Sequence, residues 1–202
     1  DIIIASKDNV MFDAKKLYAK TNVIYDESQS NVIDQWQPEL AISFSDANYN
    51  VSEQLNGQII SMKSTLNPDA MEIEKFDLTV ADSDYKLSGK LTNISNYLND
   101  KGLLKGDFDL LSKSTDVYQL MDIFDGLGSE DSTMAGNGSE STEDDPFMVP
   151  LGVDFHLNTN IDKTIVNENV IENIRGGLTI KDGTLVLDQM GFTNKAAHMQ
   201  LT

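Results

Sequence analysis

Apolar and polar residues alternate through most of this chain. Val10, Phe12 and Ala14 share one parity, and so do Leu40, Ile42 and Phe44. A period of two places such residues on one face of a sheet. Asn22–Tyr25 and Gln58–Met62 read as further strands, with breaks at Asp26–Ser30 and Asn67–Asp69, where turn formers cluster. Trp36-Gln-Pro38 is expected to be a loop anchored by its tryptophan, because proline sits poorly inside a sheet. Phe76, Leu78 and Val80 alternate with Asp77 and Thr79, turn at Asp82-Ser-Asp84, and return through Tyr85, Leu87 and Leu91.

Two short helices interrupt the strands. Asn93 is a favourable N-cap, and Ile94, Tyr97 and Leu98 fall on one helical face that Lys101-Gly102 would close. Leu104, Phe108 and Leu110 resume the sheet. Ser114 or Thr115 would cap a second helix with its stripe at Val117, Leu120, Met121 and Phe124, stopped by Gly126 and Gly128. Helices at strand ends would cover edges that otherwise meet water. Residues 129–146 are rich in Ser, Gly, Asp and Glu, which predicts an acidic linker.

The strands then return. Val149, Leu151, Val153, Phe155 and Leu157 alternate without a break. Residues 164–169 read as strand or loop. Arg175-Gly-Gly177 marks a bend or bulge. Leu178 and Ile180 lead into Asp182-Gly183, a type I′ turn signal, and Leu185 and Leu187 follow on the partner strand. Phe192, Ala197, Met199 and Leu201 suggest one more strand. The fold expected is mainly β with a few short helices: an extended, curved antiparallel sheet built of hairpins, open or groove-like. Its organisation would be a β-rich module over 1–128, the linker over 129–146, and a hairpin module over 147–202 that continues the same sheet.

Charge narrows the partners. With 33 acidic and 15 basic residues the net charge is -18. Such a field repels nucleic acid and anionic headgroups. The absence of cysteine removes disulfides and thiolate chemistry. No window approaches the run of roughly 20 apolar residues that a membrane span needs. Both terminal stretches read as strands cut through, so the chain is expected to be a segment of a longer protein whose anchor lies elsewhere.

Chemistry-bearing patterns are sparse. There is no nucleophile elbow, no phosphate-binding glycine loop and no zinc-binding helix motif. His156 and His198 are far apart in sequence, each in a strand-like run. Glu143, Asp144 and Asp145 do not have the spacing of a calcium loop. Asp107 and Asp109 alternate with apolar residues, as on a solvated face. The reading is a non-enzyme with no cofactor and no metal. One strictly apolar face remains, either plain core or a groove for acyl chains. The groove candidates by parity are Val153, Phe155, Leu157, Leu178, Ile180, Leu185 and Leu187.

Two stretches resemble a known family. Val149–Leu157 followed by Glu172–Phe192, with the hairpin Lys181-Asp-Gly-Thr-Leu-Val-Leu187, is similar to the C-terminal module of the AsmA family. Leu87-Ser-Gly-Lys-Leu-Thr-Asn93, followed by a short helix and a strand, resembles another recurring piece of it. The resemblance covers roughly the last 130 residues, and the acidic linker corresponds to a variable spacer. It implies the periplasm of a Gram-negative bacterium, a full-length protein anchored at a membrane outside this segment, and a role in outer-membrane biogenesis. It also implies a bent sheet with a hydrophobic floor that carries phospholipid or another envelope lipid, with other envelope proteins as partners. This sequence departs from the family in lacking the membrane helix. The competing readings are a structural or adhesive cell-surface β module, and an enzyme needing two carboxylates roughly 5 to 9.5 Å apart in a cleft.

Overall fold

The computed structural model describes residues 2–5, 11–29, 32–50, 56–116, 149, 151–166, 169–194 and 197–200. The expected second helix at Val117–Phe124 and the acidic linker lie outside these residues.

Strand β1 (Ile2–Ala5) is followed by β2 (Met11–Tyr25), helix α1 (Val32–Gln35), β3 (Trp36–Asn50), β4 (Asn56–Leu66), β5 (Ala70–Val80) and β6 (Ser83–Thr92). Helix α2 (Ile94–Leu98) precedes β7 (Leu104–Ser112) and β8 (Thr115–Asp116). Then come β9 (Val153–Val166), β10 (Asn169–Lys181), β11 (Thr184–Asn194) and β12 (Ala197–Gln200). All form one open sheet in the order β1-β2-β3-β4-β5-β6-β7-β9-β10-β11-β12. The two outermost strands do not meet, so the sheet is curved but not closed into a barrel.

Neighbouring strands pair antiparallel, as hairpins must. The exception is β7 with β9, which run parallel from Leu104↔Val153 to Ser112↔Ile161. Strand β8 continues that register at Thr115↔Thr164, so β7 and β8 are one strand broken at Lys113–Ser114. Residues 117–152 are long enough to return the chain to the end where β7 began.

The loosely alternating pattern of the first 70 or so residues has a specific cause. Register shifts fall between Asp13 and Tyr18 in β2, between Ile59 and Ser61 against β5, and between Ile73 and Phe76 against β6. Lys16 and Asp46 adopt positive φ at these breaks. Each bulge inserts one residue and reverses the parity that follows. Ile42 and Phe44 are therefore joined on one face by Ala47 and Tyr49, and Ile59 by Met62. All six belong to one apolar cluster with Ala14, Phe12 and Leu17. The bulges also bend the strands, which curves the sheet.

Several local expectations change. Trp36-Gln-Pro38 is not a loop but the start of β3, paired with Val23–Tyr25. Pairing of β3 with β4 starts only at Leu40↔Leu66, so Pro38 stands where its strand has a single neighbour and one missing N–H is tolerated. The turn expected at Asp82–Asp84 is the two-residue loop Ala81-Asp82, since Val80 pairs with Ser83. Asn93 does precede α2, but its side chain does not cap the helix. Its φ is 66°, and its amide donates to the Leu103 carbonyl at 2.7 Å. Helix α2 ends before Lys101-Gly102: Asp100 at φ 55° donates to the Tyr97 carbonyl, and the Lys101 N–H to that of Asn96. This is a Schellman ending with aspartate where glycine usually stands.

At Asp182-Gly183 both φ values are positive, 44° and 79°, as a type I′ turn requires. Arg175–Gly177 is a bulge against β11.

Candidate functional site

The registers align the apolar residues into rows that cross the sheet. One row runs Leu40, Leu66, Met71, Leu91, Gly106, Phe155, Ile180, Leu185 from β3 to β11. The next runs Ile42, Ser64, Ile73, Gly89, Phe108, Leu157, Leu178, Leu187. Directly opposed residues share a face. Each row takes seven steps of about 4.8 Å between strands, or about 34 Å.

The other face is charged. The row beside these reads Lys20, Ala41, Thr65, Glu72, Lys90, Asp107, His156, Thr179, Val186. Lys75 pairs with Asp77 at 3.2 Å, Lys181 with Asp154 at 3.2 Å, and Arg175 with Asp162 at 2.8 Å. Lys63 and Glu74 also form an ion pair.

Among the described residues, no second layer covers the apolar face. Extensive contacts between elements join strands adjacent in the sheet, or the two short helices and the strand ends beside them. Apolar side chains without a cover are buried only by crowding one another, which happens on the inside of a curve. The apolar face is therefore the concave one, a trough. Phe12 and Phe44 meet edge-on at 5.4 Å, and Phe108 and Phe155 at 6.1 Å. The latter two rings lie over Gly106, where a Cβ would come within 2.5 Å of Phe108 and 2.9 Å of Phe155. Glycine makes room there for aromatics to fill the trough floor.

The seven residues expected to line a groove all lie on this face, in β9, β10 and β11. Phe155, Ile180 and Leu185 form consecutive positions of one row, and Leu157, Leu178 and Leu187 of the next. Val153 lies two residues before Phe155 on the same side. Their exposure is graded. Val153 and Ile180 are buried, Phe155, Leu157 and Leu178 half-buried, and Leu185 and Leu187 are 41% and 44% exposed at the sheet's edge.

Sequence reasoning missed the remainder of both rows. Leu40, Ile42 and Leu91 were visible by parity, but parity cannot say which strand lies opposite which. It also missed a cleft of about 590 Å³ at one end of the trough, lined by Trp36, Pro38, Leu66, Pro68, Ile94 and Leu98. Helices α1 and α2 meet beside it, where Asp34 accepts hydrogen bonds from the Ser95 hydroxyl at 2.8 Å and the Asn99 amide at 3.1 Å. The rings of Tyr25 and Trp36 meet at 4.9 Å, tilted by 54°. A second cleft, of about 660 Å³, opens at the β10–β11 bulge around Arg175, Gly176 and Gln189. The Arg175 guanidinium there is already held by Asp162 and by the carbonyls of Ile161 and Ile174.

Polar chemistry stays dispersed. His156 on β9 and His198 on β12 are three strands apart, and they are also offset along the strands, since His156 aligns with Val186 of β11 and His198 pairs with Thr193. Among the described residues no three His, Asp or Glu side chains gather as metal ligands. Asp107 and Asp109 are both exposed, and Asp109 accepts a hydrogen bond from Asn158 at 3.2 Å. The phenol of Tyr49 is displaced from its ordinary value. Partial burial in the apolar cluster, and then the neighbouring Tyr85, push its phenol up to about 12. Its hydroxyl donates to the Thr79 carbonyl at 3.1 Å.

Among the described residues no helix is long and apolar enough to cross a membrane. Compared with family models, curated proteins and solved structures, the chain finds no match in any of the three.

Proposed function

We propose that this chain is a non-enzymatic periplasmic segment of an AsmA-like protein of outer-membrane biogenesis, and that its trough holds the acyl chains of a phospholipid or another envelope lipid. The observation that supports the reading is the concave face, uncovered among the described residues, whose two mainly apolar rows cross eight strands. A hydrocarbon chain lying along such a row gains about 0.8 kcal/mol for each CH₂ removed from water. Charged headgroups would stay at the rim, while the charged convex face keeps the sheet hydrated. Such a role requires no reacting group.

The test is native mass spectrometry of the protein purified gently from a Gram-negative host, followed by lipid extraction. A bound lipid is expected, and Leu178→Asp and Leu187→Asp should each remove it while the circular dichroism of the sheet persists. Thr65→Asp, on the convex face, should leave it in place. A lipid-free mass, with extracts no richer than those of an unrelated acidic protein, overturns the reading in favour of a structural or adhesive β module.

A further inference from the structure

The cleft beside helices α1 and α2 has a chemistry that the trough lacks. Leu66 belongs to both: it lines the cleft and stands in the first apolar row, between Leu40 and Met71. A lipid whose acyl chains lie along that row can therefore place its head in the cleft. The charged groups of the lining are of one sign. Asp34 and Asp69 both line it, and among the described residues no Lys, Arg or His does.

Both acidic residues are held in place. Asp34 Oδ1 accepts from the Ser95 hydroxyl and the Asn99 amide. The Asp69 N–H donates to Asn67 Oδ1 at 3.0 Å, and its carbonyl accepts from the Ile94 N–H at 3.2 Å. Several donors of the lining are already spent. The Ser95 hydroxyl goes to Asp34, the Asn96 amide to Asn93 Oδ1 at 2.7 Å, and the Gln29 amide to Asp26 at 3.1 Å. What the cleft offers a ligand is mainly acceptors: two carboxylates and the side-chain carbonyl of Asn96. Such a lining suits a cation with several N–H groups and gives an anion no charged donor. Trp36, the one tryptophan of the chain, also lines the cleft and is 53% exposed. The face of an indole attracts an ammonium group.

We propose that this cleft receives the protonated primary amine of a zwitterionic phospholipid of the ethanolamine type, while the acyl chains of the same molecule lie along the row that passes through Leu66. The assignment rests on the reading of the trough as a lipid carrier and adds which head that carrier prefers. The lining discriminates among heads. A primary ammonium brings three N–H donors to the carboxylates and amide oxygens. A choline head brings none and relies on a cage of aromatic rings, whereas Trp36 is the one aromatic residue of this lining. A serine head sets its own carboxylate against Asp34 and Asp69, and a glycerol head leaves the phosphate charge uncompensated beside them.

The experiment titrates the protein with the water-soluble dioctanoyl forms of phosphatidylethanolamine, phosphatidylcholine and phosphatidylglycerol, read by native mass spectrometry. The ethanolamine form is expected to bind about tenfold tighter than the glycerol form, the scale of an ammonium desolvated against an indole and a carboxylate. Added salt should shrink that ratio. Asp69→Asn and Trp36→Leu should each reduce it to about threefold or less, with the circular dichroism of the sheet unchanged. Asp69→Lys should reverse it. Equal binding of the three lipids, all lost in Leu187→Asp, would leave the trough as the lipid site and overturn the head assignment. A preference that survives Asp69→Asn, Asp69→Lys and Trp36→Leu overturns it as well. Binding of none of the three overturns both the assignment and the reading of the trough.

Discussion

The phenol oxygen of Tyr85 and the hydroxyl oxygen of Thr115 lie 2.5 Å apart, with both residues almost wholly buried. This bond ties β6 to β8, the fragment that continues β7 beyond its break. The Thr164 hydroxyl donates to the Thr115 carbonyl at 2.9 Å from the other side. The Asp84 carboxylate takes up the N–H groups of Lys113 and Ser114 at the break itself, at 3.0 and 2.9 Å. A strand interruption would normally leave backbone groups unsatisfied, and this cluster satisfies them.

Removing one partner of the buried hydroxyl pair should therefore cost more than an ordinary surface change. Tyr85→Phe and Thr115→Val are each expected to destabilise by about 1–3 kcal/mol, the penalty of a buried polar group left without its partner. The double variant should cost less than the sum, because both singles abolish the same bond. Urea unfolding at constant m-value measures all three.

Tyr49 gives the fold an alkaline limit. Its phenol stays protonated in the folded state up to about 12, against 10.0 for an ordinary tyrosine. Below pH 10 the group is neutral in both states and contributes no pH dependence. Between 10 and 12 the unfolded chain loses the proton and the folded chain keeps it, so stability should fall as pH rises through that window. An absorbance titration of tyrosinate should show a late step that belongs to Tyr49. Tyr49→Phe should remove that late step and flatten the stability profile above pH 10.

Both tight turns should favour glycine, so the two substitutions should have opposite signs. Ala81 sits at φ 46°, a conformation that strains an L side chain by roughly 1–2 kcal/mol. Ala81→Gly should therefore raise the melting temperature, with the greater freedom of unfolded glycine offsetting part of the gain. Gly183 sits at φ 79°, and an added Cβ would lie 2.9 Å from Leu151 Cδ2. Gly183→Ala should lower stability by about 1 kcal/mol. Calorimetry of the two variants side by side reads the signs.

Gly106 sets the depth of the trough beneath Phe108 and Phe155. Gly106→Val should displace both rings and destabilise by about 1–3 kcal/mol, as overpacking does. Near-ultraviolet circular dichroism should report the disturbed rings. In the lipid assay the same variant should lower occupancy, because the floor it raises is the surface an acyl chain would lie on.

Much of the architecture was legible from alternation and turn chemistry. The hairpin at Asp182-Gly183 follows from the positive φ that type I′ turns demand, and the bulge at Arg175–Gly177 from its paired glycines. The grouping of Val153, Phe155, Leu157, Leu178, Ile180, Leu185 and Leu187 on one face follows from a period of two. These are local properties, set by sterics within a few residues, and the chain carries them wherever it folds.

What only the tertiary structure decided depends on partners distant in sequence. Pro38 is tolerated in β3 because pairing with β4 starts two residues later, at Leu40, a fact held in residues 56–66. The parity reversals near Lys16, Asp46 and Ser61 read as noise until their strands are laid side by side and prove to keep Ala14, Leu17, Phe44, Ala47, Ile59 and Met62 in one cluster on the concave face. The side chain of Asn93 is drawn from its helix to the Leu103 carbonyl, and Asp100 takes the left-handed position expected of Gly102. The parallel pairing of β7 with β9 depends on the route of a connection whose length alone does not choose a neighbour. Sequence determined which residues are apolar and where the chain turns. The sum of cross-strand registers, each fixed by long-range hydrogen bonds, decided that those residues gather into two rows on one face of the sheet.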